Sequence, residues 1–182
     1  MRHVVTLIAA AVLSLFILSP CHGANLTAEQ QAKVDAKLKA FQEWGADAKI
    51  VAAVKDYNAN PPAAAKAMTN DKWKTLTLLD PFVRSLAKND LAEYLKAKKD
   101  DAISELFVSG ADGGKVAFFA KTSSWTHKGK DKHDQPMAGK TWQGAVEVDE
   151  STGKQQIQVS VPVLDGGTPI GSMVIGLGIS KL

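Results

Sequence analysis

At 182 residues the chain has the length of one domain and can bury a substantial core. With 45% apolar and 23% charged residues it has the make-up of an ordinary globular protein rather than a disordered, fibrous or disulfide-stapled one. The formal net charge of +3 is small and comes from lysine, with Arg84 the one arginine beyond residue 23; this speaks against a nucleic-acid partner, because planar bidentate phosphate recognition favours arginine.

Residues 1–23 open with Met1, Arg2 and His3 and continue with an uncharged, mostly apolar run over 4–18. Ser19, Pro20, Cys21, His22 and Gly23 follow. This is the layout of a signal peptide, short for a membrane span, and it predicts a periplasmic or secreted protein. Cleavage after Gly23 or Ala24 would remove Cys21; lipidation of Cys21 and an uncleaved anchor are the other readings. Cys21 is the only cysteine, so its removal leaves no disulfide, thiol chemistry, cysteine-ligated zinc or covalently attached haem, and no cofactor is expected. With Arg2 gone, the net charge falls by one to +2.

Residues 24–100 read as helical. Thr27-Ala28-Glu29-Gln30 is a capping box, followed at helical spacing by Val34, Leu38, Phe41 and Trp44. Two readings stand for that stripe: intramolecular core, or the seam of a homodimer. Gly45 interrupts it, and Ile50, Val51 and Val54 mark a second helix that Pro61 and Pro62 end. Ala63 to Met68 adds a short turn. Asn70-Asp71 is expected to cap a segment carrying Trp73, Leu76, Leu78 and Leu79. Asp80-Pro81 then starts a helix with proline in its first position, and Asn89-Asp90 starts another whose last turn holds Lys96, Lys98 and Lys99.

Residues 101–182 read as one sheet. The segments ISELFV (103–108) and KVAFFA (115–120) flank Ala111-Asp112-Gly113-Gly114, a hairpin signal. Ile157, Val159, Val161 and Val163 alternate with Gln156, Gln158 and Ser160, predicting a strand with one dry and one wet face. Turns are expected over Asp149 to Gly153 and at Asp165-Gly166-Gly167. In the last strand Met173, Ile175, Leu177 and Ile179 share a face, opposite Ser172, Gly176 and Gly178; the small side leaves room for a helix backbone or a ligand. Between the second and third strands, residues 121–140 (KTSSWTHKGKDKHDQPMAGK) read as a long polar connection, and long connections are usually functional or disordered.

Chemistry-bearing residues concentrate there. His127, Asp131, His133 and Asp134 have metal-ligand types, but their spacing matches no known site and Lys128, Lys130 and Lys132 would repel a cation; a solvated charged loop is the competing reading, with non-covalent haem through His127 or His133 a distant third. Trp125 and Trp142 suit either a small-molecule pocket or the rim of the sheet. Ser124, Thr126, His127 and Lys128 beside Trp125 offer hydrogen bonds and charge that would favour an organic anion. Nucleophile motifs such as Gly-x-Ser-x-Gly are absent and strands follow the glycine pairs, so neither an enzyme nor a phosphate loop is indicated.

In order and spacing, Ile103 through Val108, Gly114 with Val116-Ala117, Thr122-Ser123, Asp149-Glu150-Ser151, Val161-Pro162-Val163 and Ile170-Gly171 resemble the single Cache domains, extracytoplasmic PAS-like sensor modules. The resemblance covers about the last 80 residues well, and 73–95 more loosely. It implies an α+β fold, N-terminal helices packed on a five-stranded antiparallel PAS-like sheet, with residues 24–182 one sensor domain. It also implies a ligand held in a hollow between the sheet and the loop after the second strand, so that Ser124, Trp125, Thr126, His127, Lys128 and Trp142 are the candidate ligand-binding residues. The function so implied is small-molecule sensing outside the cytoplasm, acting in trans on a membrane receptor or through a homodimer partner. The alternative is a structural or protein-interaction subunit without a small-molecule ligand.

Overall fold

The computed structural model describes residues 25–148 and 153–182. The signal-peptide reading, Cys21 and all but the last residue of the Asp149–Gly153 turn fall outside them.

The helical half follows its local signals closely. Thr27 Oγ1 accepts from the Gln30 amide at 3.2 Å while Gln30 Oε1 accepts from the Thr27 amide at 3.0 Å, so the capping box opens α1 (Ala28–Gly45). Asp47 caps α2 (Ala48–Ala59), and a single turn, α3 (Ala63–Lys66), follows the prolines. Thr69, one residue before the expected pair, caps α4 (Asn70–Thr75) by accepting from the Lys72 amide. Asp80 caps α5 (Pro81–Lys88), and Asn89 caps α6 (Asp90–Ala97).

Five strands complete the chain: β1 (Ile103–Gly110), β2 (Lys115–Phe118), β3 (Trp142–Val148), β4 (Gln155–Asp165) and β5 (Thr168–Gly178). All pair antiparallel in the order β2-β1-β5-β4-β3. Gly166 and Gly167 form the two-residue β4–β5 turn, both at positive φ, and Gly113 supplies the same freedom between β1 and β2. Helices first, then a five-stranded antiparallel sheet, is the α+β, PAS-like architecture expected.

Register gives the sheet two unlike faces. Leu106, Val108, Ile157, Val159, Val161, Val163, Met173, Ile175 and Leu177 share one, and all are buried against α1 and α2. Val34 and Phe41 of the α1 stripe are buried in this same core, with Leu38 and Trp44 packed at its margin, so the stripe serves the chain's own sheet. The helix layer sits close because glycines admit it. A Cβ on Gly45 would run into the Pro162 carbonyl, and one on Gly171 would meet Val54 of α2 and the Ser109 carbonyl.

The other face departs from expectation. Gln156, Gln158, Ser160 and Ser172 lie on it, yet each is buried rather than wet. The cover comes from residues 121–140, which are not a structureless connection but hold a seventh helix, α7 (Asp131–Met137), packed across β3, β4 and β5. This helix has no side-chain N-cap and contains Pro136, so local propensity does not specify it. His133 and Pro136, both buried, fasten it to the sheet.

Gly45→Ala is expected to lower stability by about 1–3 kcal/mol in urea denaturation, because the α1–β4 approach must widen to take the methyl group. Gly153→Ala, with nothing within 4 Å of its Cβ, should show only a smaller loss from its positive φ.

Candidate functional site

The polar face is organised around a lysine. Lys115 opens β2 opposite Ser109 and is fully buried, the only buried lysine among the described residues. Its Nζ donates to Ser109 Oγ at 3.3 Å and to His127 Nδ1 at 2.7 Å, and lies 4.4 Å from the Phe107 ring centroid. An amine donor at Nδ1 places the imidazole proton on Nε2. His127 stacks on Phe107 with ring centroids 4.9 Å apart at 18°. One strand further in, His133 Nδ1 shares a hydrogen bond of 2.7 Å with Ser172 Oγ. Beyond that, Lys132 Nζ donates to Gln158 Oε1 and Gln158 Nε2 to Glu105 Oε2. Ser160, fully buried on the same face, has an Oγ with no hydrogen-bond partner among the described residues.

Burial governs the electrostatics. Desolvation pushes the Lys115 amine down to about 7; Lys132 adds to the fall, while Glu105 and Asp112 oppose it. His127 is pushed down to about 2, first by burial and then by Lys115, and is therefore a neutral imidazole. His133 is also lowered by burial, against the opposing pull of Asp134. The result is a water-excluded chamber with one amine, two neutral imidazoles and three serine hydroxyls.

Of the six candidate residues, His127 enters this chamber and Trp142 stands beside it, opposite Ser160 in the β3–β4 register. Ser124 is half-buried, and its carbonyl accepts from Thr122 Oγ1. Trp125 is buried with Trp73 and Phe82, at centroid distances of 5.3 and 5.5 Å, in an aromatic cluster on α4 and α5. Thr126 ties the segment down: its amide donates to Asn70 Oδ1 and its hydroxyl to the Asp112 carbonyl. Lys128 is exposed, and Trp142 lies half-buried with its ring against Gly144 of β3. The hollow expected beneath the loop is occupied by Lys115, His127 and His133. Clefts of about 450 and 250 Å³ lie elsewhere, the first beside Thr27, Gln31 and Gln143, the second beside Tyr57, Asn58 and Asp112.

Lys115 and Ser109 were not singled out from the sequence, His133 entered only as a metal-type residue, and Ser160 and Ser172 only as polar positions on their strands. Ser160 and Ser172 carry a faint signal, small polar residues on the side of their strands away from the apolar set. Lys115 carries none, since a lysine at a strand end ordinarily snorkels to water. The metal reading does not hold in this geometry: His127 faces Lys115 and His133 faces Ser172, and among the described residues no three His, Cys, Asp or Glu side chains converge. Nor, among them, is any helix long and apolar enough to cross a membrane.

No family model matches this sequence, and no curated protein does. Solved structures similar to it include the ligand-binding domain of the Campylobacter jejuni chemoreceptor Tlp3 in complex with 4-methylisoleucine (TM-score 0.41, 13% identity, 84% of this chain and 56% of that one). Another is the V. cholerae histidine kinase DctB sensor domain (TM-score 0.42, 14% identity, 84% and 58%). A third is the ligand-binding domain of the Pseudomonas aeruginosa PAO1 amino acid chemoreceptor PctC in complex with GABA (TM-score 0.38, 13% identity, 81% and 63%). These neighbours are sensor domains. The chain spans under two thirds of the length of each of the three.

The chamber makes stability depend on pH with a definite sign. Between about 7 and an unfolded value of ~10.4, the unfolded chain holds the Lys115 proton and the folded one does not, so stability rises with pH across that window. His127 acts in the same direction between about 2 and an unfolded ~6.5, and its contribution is lost as pH falls. Lys115→Met is expected to be more stable than the parent at pH 7 by about 1 kcal/mol or more, and to lose most of the gain between pH 7 and 9.5, as read by urea denaturation at both pH values.

Proposed function

We propose that this chain is an exported sensor module that takes a small organic anion into the Lys115–His127–His133 chamber, residues 121–140 moving aside to admit it. The observation that carries this reading is the buried Lys115 amine, whose hydrogen-bond partners, Ser109 and His127, are both neutral. Such a group is a standing cost to the fold that Glu105 and Asp112 offset only in part, and a ligand carboxylate would offset it further by placing a counter-charge in direct contact in a low-dielectric site. Ser160 Oγ, buried without a partner, is a second hydrogen-bonding group available to the ligand.

In this reading the cover moves as a unit. It is hinged on the aromatic cluster at Trp125 and on the Trp73 Nε1 donation to the Thr122 carbonyl (2.7 Å), and it carries both imidazoles. A ligand that draws Lys115 away from His127 alters how α7 seats on β4 and β5. That displacement is the signal we assign to the module, read in trans by a membrane receptor or a second copy. The 13–14% likeness to sensor domains agrees with this reading without naming a ligand.

Thermal denaturation against a panel of mono- and dicarboxylates is expected to show a rise of several degrees for one compound class, as a site held near 100-fold above Kd gains about 2.7 kcal/mol. Lys115→Met should abolish that rise. A flat panel, together with native mass spectrometry showing no bound small molecule on freshly purified protein, would overturn the proposal.

A further inference from the structure

Among the described lysines, Lys115 alone combines full burial with a proton acceptor in contact. Its amine sits over an aromatic ring, 2.7 Å from a neutral imidazole nitrogen and beside buried hydroxyls. This is more than anion binding requires. A guanidinium or an exposed ammonium would hold a carboxylate at less expense to the fold, whereas desolvation and an adjacent base are what turn a lysine into a nucleophile. At about 7, its lowered value leaves a large neutral fraction in neutral solution.

We propose that Lys115 captures a 2-oxo carboxylic acid as a reversible imine, with His127 Nδ1 orienting the amine and the Ser109 hydroxyl relaying its protons. The inference rests on the ligand reading above and narrows it to a carbonyl-bearing class. The neutral amine adds through its lone pair to the ketone or aldehyde carbon. One amine hydrogen passes to Ser109 Oγ as the serine hydroxyl gives its own to the carbonyl oxygen, giving a carbinolamine. The second follows the same route, the oxygen leaves as water, and a C=N bond remains. Atoms balance with the loss of one water, and no oxidant or reductant takes part. Ser109 Oγ, already on the amine, is placed to hold the carbinolamine hydroxyl. Once protonated, the imine keeps a positive charge in the chamber, and the ligand's own carboxylate neutralises it; this is why a 2-oxo acid suits the site better than a simple aldehyde.

The test treats the full chain with glyoxylate or pyruvate in the presence of cyanoborohydride, which reduces an imine to a stable secondary amine, and maps the product by intact mass and peptide mass spectrometry. The expected result is a single adduct on Lys115 at probe concentrations that leave the exposed lysines unmodified. It should be absent in Lys115→Arg, which keeps the charge, and slowed roughly a hundredfold in Ser109→Ala, the lower end for a positioned proton relay. Adducts confined to exposed lysines, or forming on Lys115 no faster than on them, would overturn the imine. Lactate and succinate, which have no ketone or aldehyde carbon, separate the two readings. If they raise the melting temperature in a Lys115-dependent way while no adduct forms, the imine falls and the anion site stands; if neither occurs, both fall.

Discussion

An amine sealed from water, with only a serine hydroxyl and a neutral imidazole to accept its protons, is the constraint around which the carboxy-terminal half is arranged. Lys115 is tolerable where it is because Ser109 and His127 satisfy its donors and the face of Phe107 lies beneath it. Each of those partners has a structural address. Ser109 faces Lys115 through the β1–β2 register, and Phe107 lies two residues earlier on the same face. His127 arrives from a segment that would otherwise be free to swing, and it is delivered there by the aromatic cluster that pins Trp125 two residues upstream.

The two faces of the sheet divide the work. On one, valine, isoleucine, leucine and methionine pack against α1 and α2, and glycines at 45 and 171 bring helix and sheet to backbone contact. The other face mixes Phe107 and Val174 with many polar groups and is still buried, which weakens the fold unless those groups are paired. Ser172 with His133, Gln158 with Lys132 and Glu105, and Ser104 with Gln156 are paired; Ser160 Oγ is not. A domain stabilised on one side can carry a strained, reactive or ligand-ready arrangement on the other, the usual separation between scaffold and site.

Much of this architecture is legible in short stretches of sequence. The Thr27–Gln30 box, the Asp80–Pro81 and Asn89–Asp90 starts, the glycine turns at 113 and 166–167, and the alternation from Ile157 to Val163 each act within a few residues and appear where they point. Helix α7 does not announce itself. Its seven residues carry no apolar stripe and no cap, and it forms because His133 and Pro136 find the sheet. The tryptophans mislead for a related reason: Trp125 has the chemistry of a pocket wall, but Trp73 and Phe82 on α4 and α5 offer it a drier place.

By itself, then, the sequence determined the class of fold, the five strands and the helix starts, since caps, turns and periodicity are settled by near neighbours. Tertiary structure alone decided that the polar face is covered, that a seventh helix covers it, and that Lys115 is the buried lysine while Lys128 stays exposed. Burial of Lys115 depends on what folds over β2, and its closest partner from the cover lies 12 residues away in a segment held by helices from the other half of the chain. Desolvation is a property of such assembled surroundings, and no local pattern encodes it.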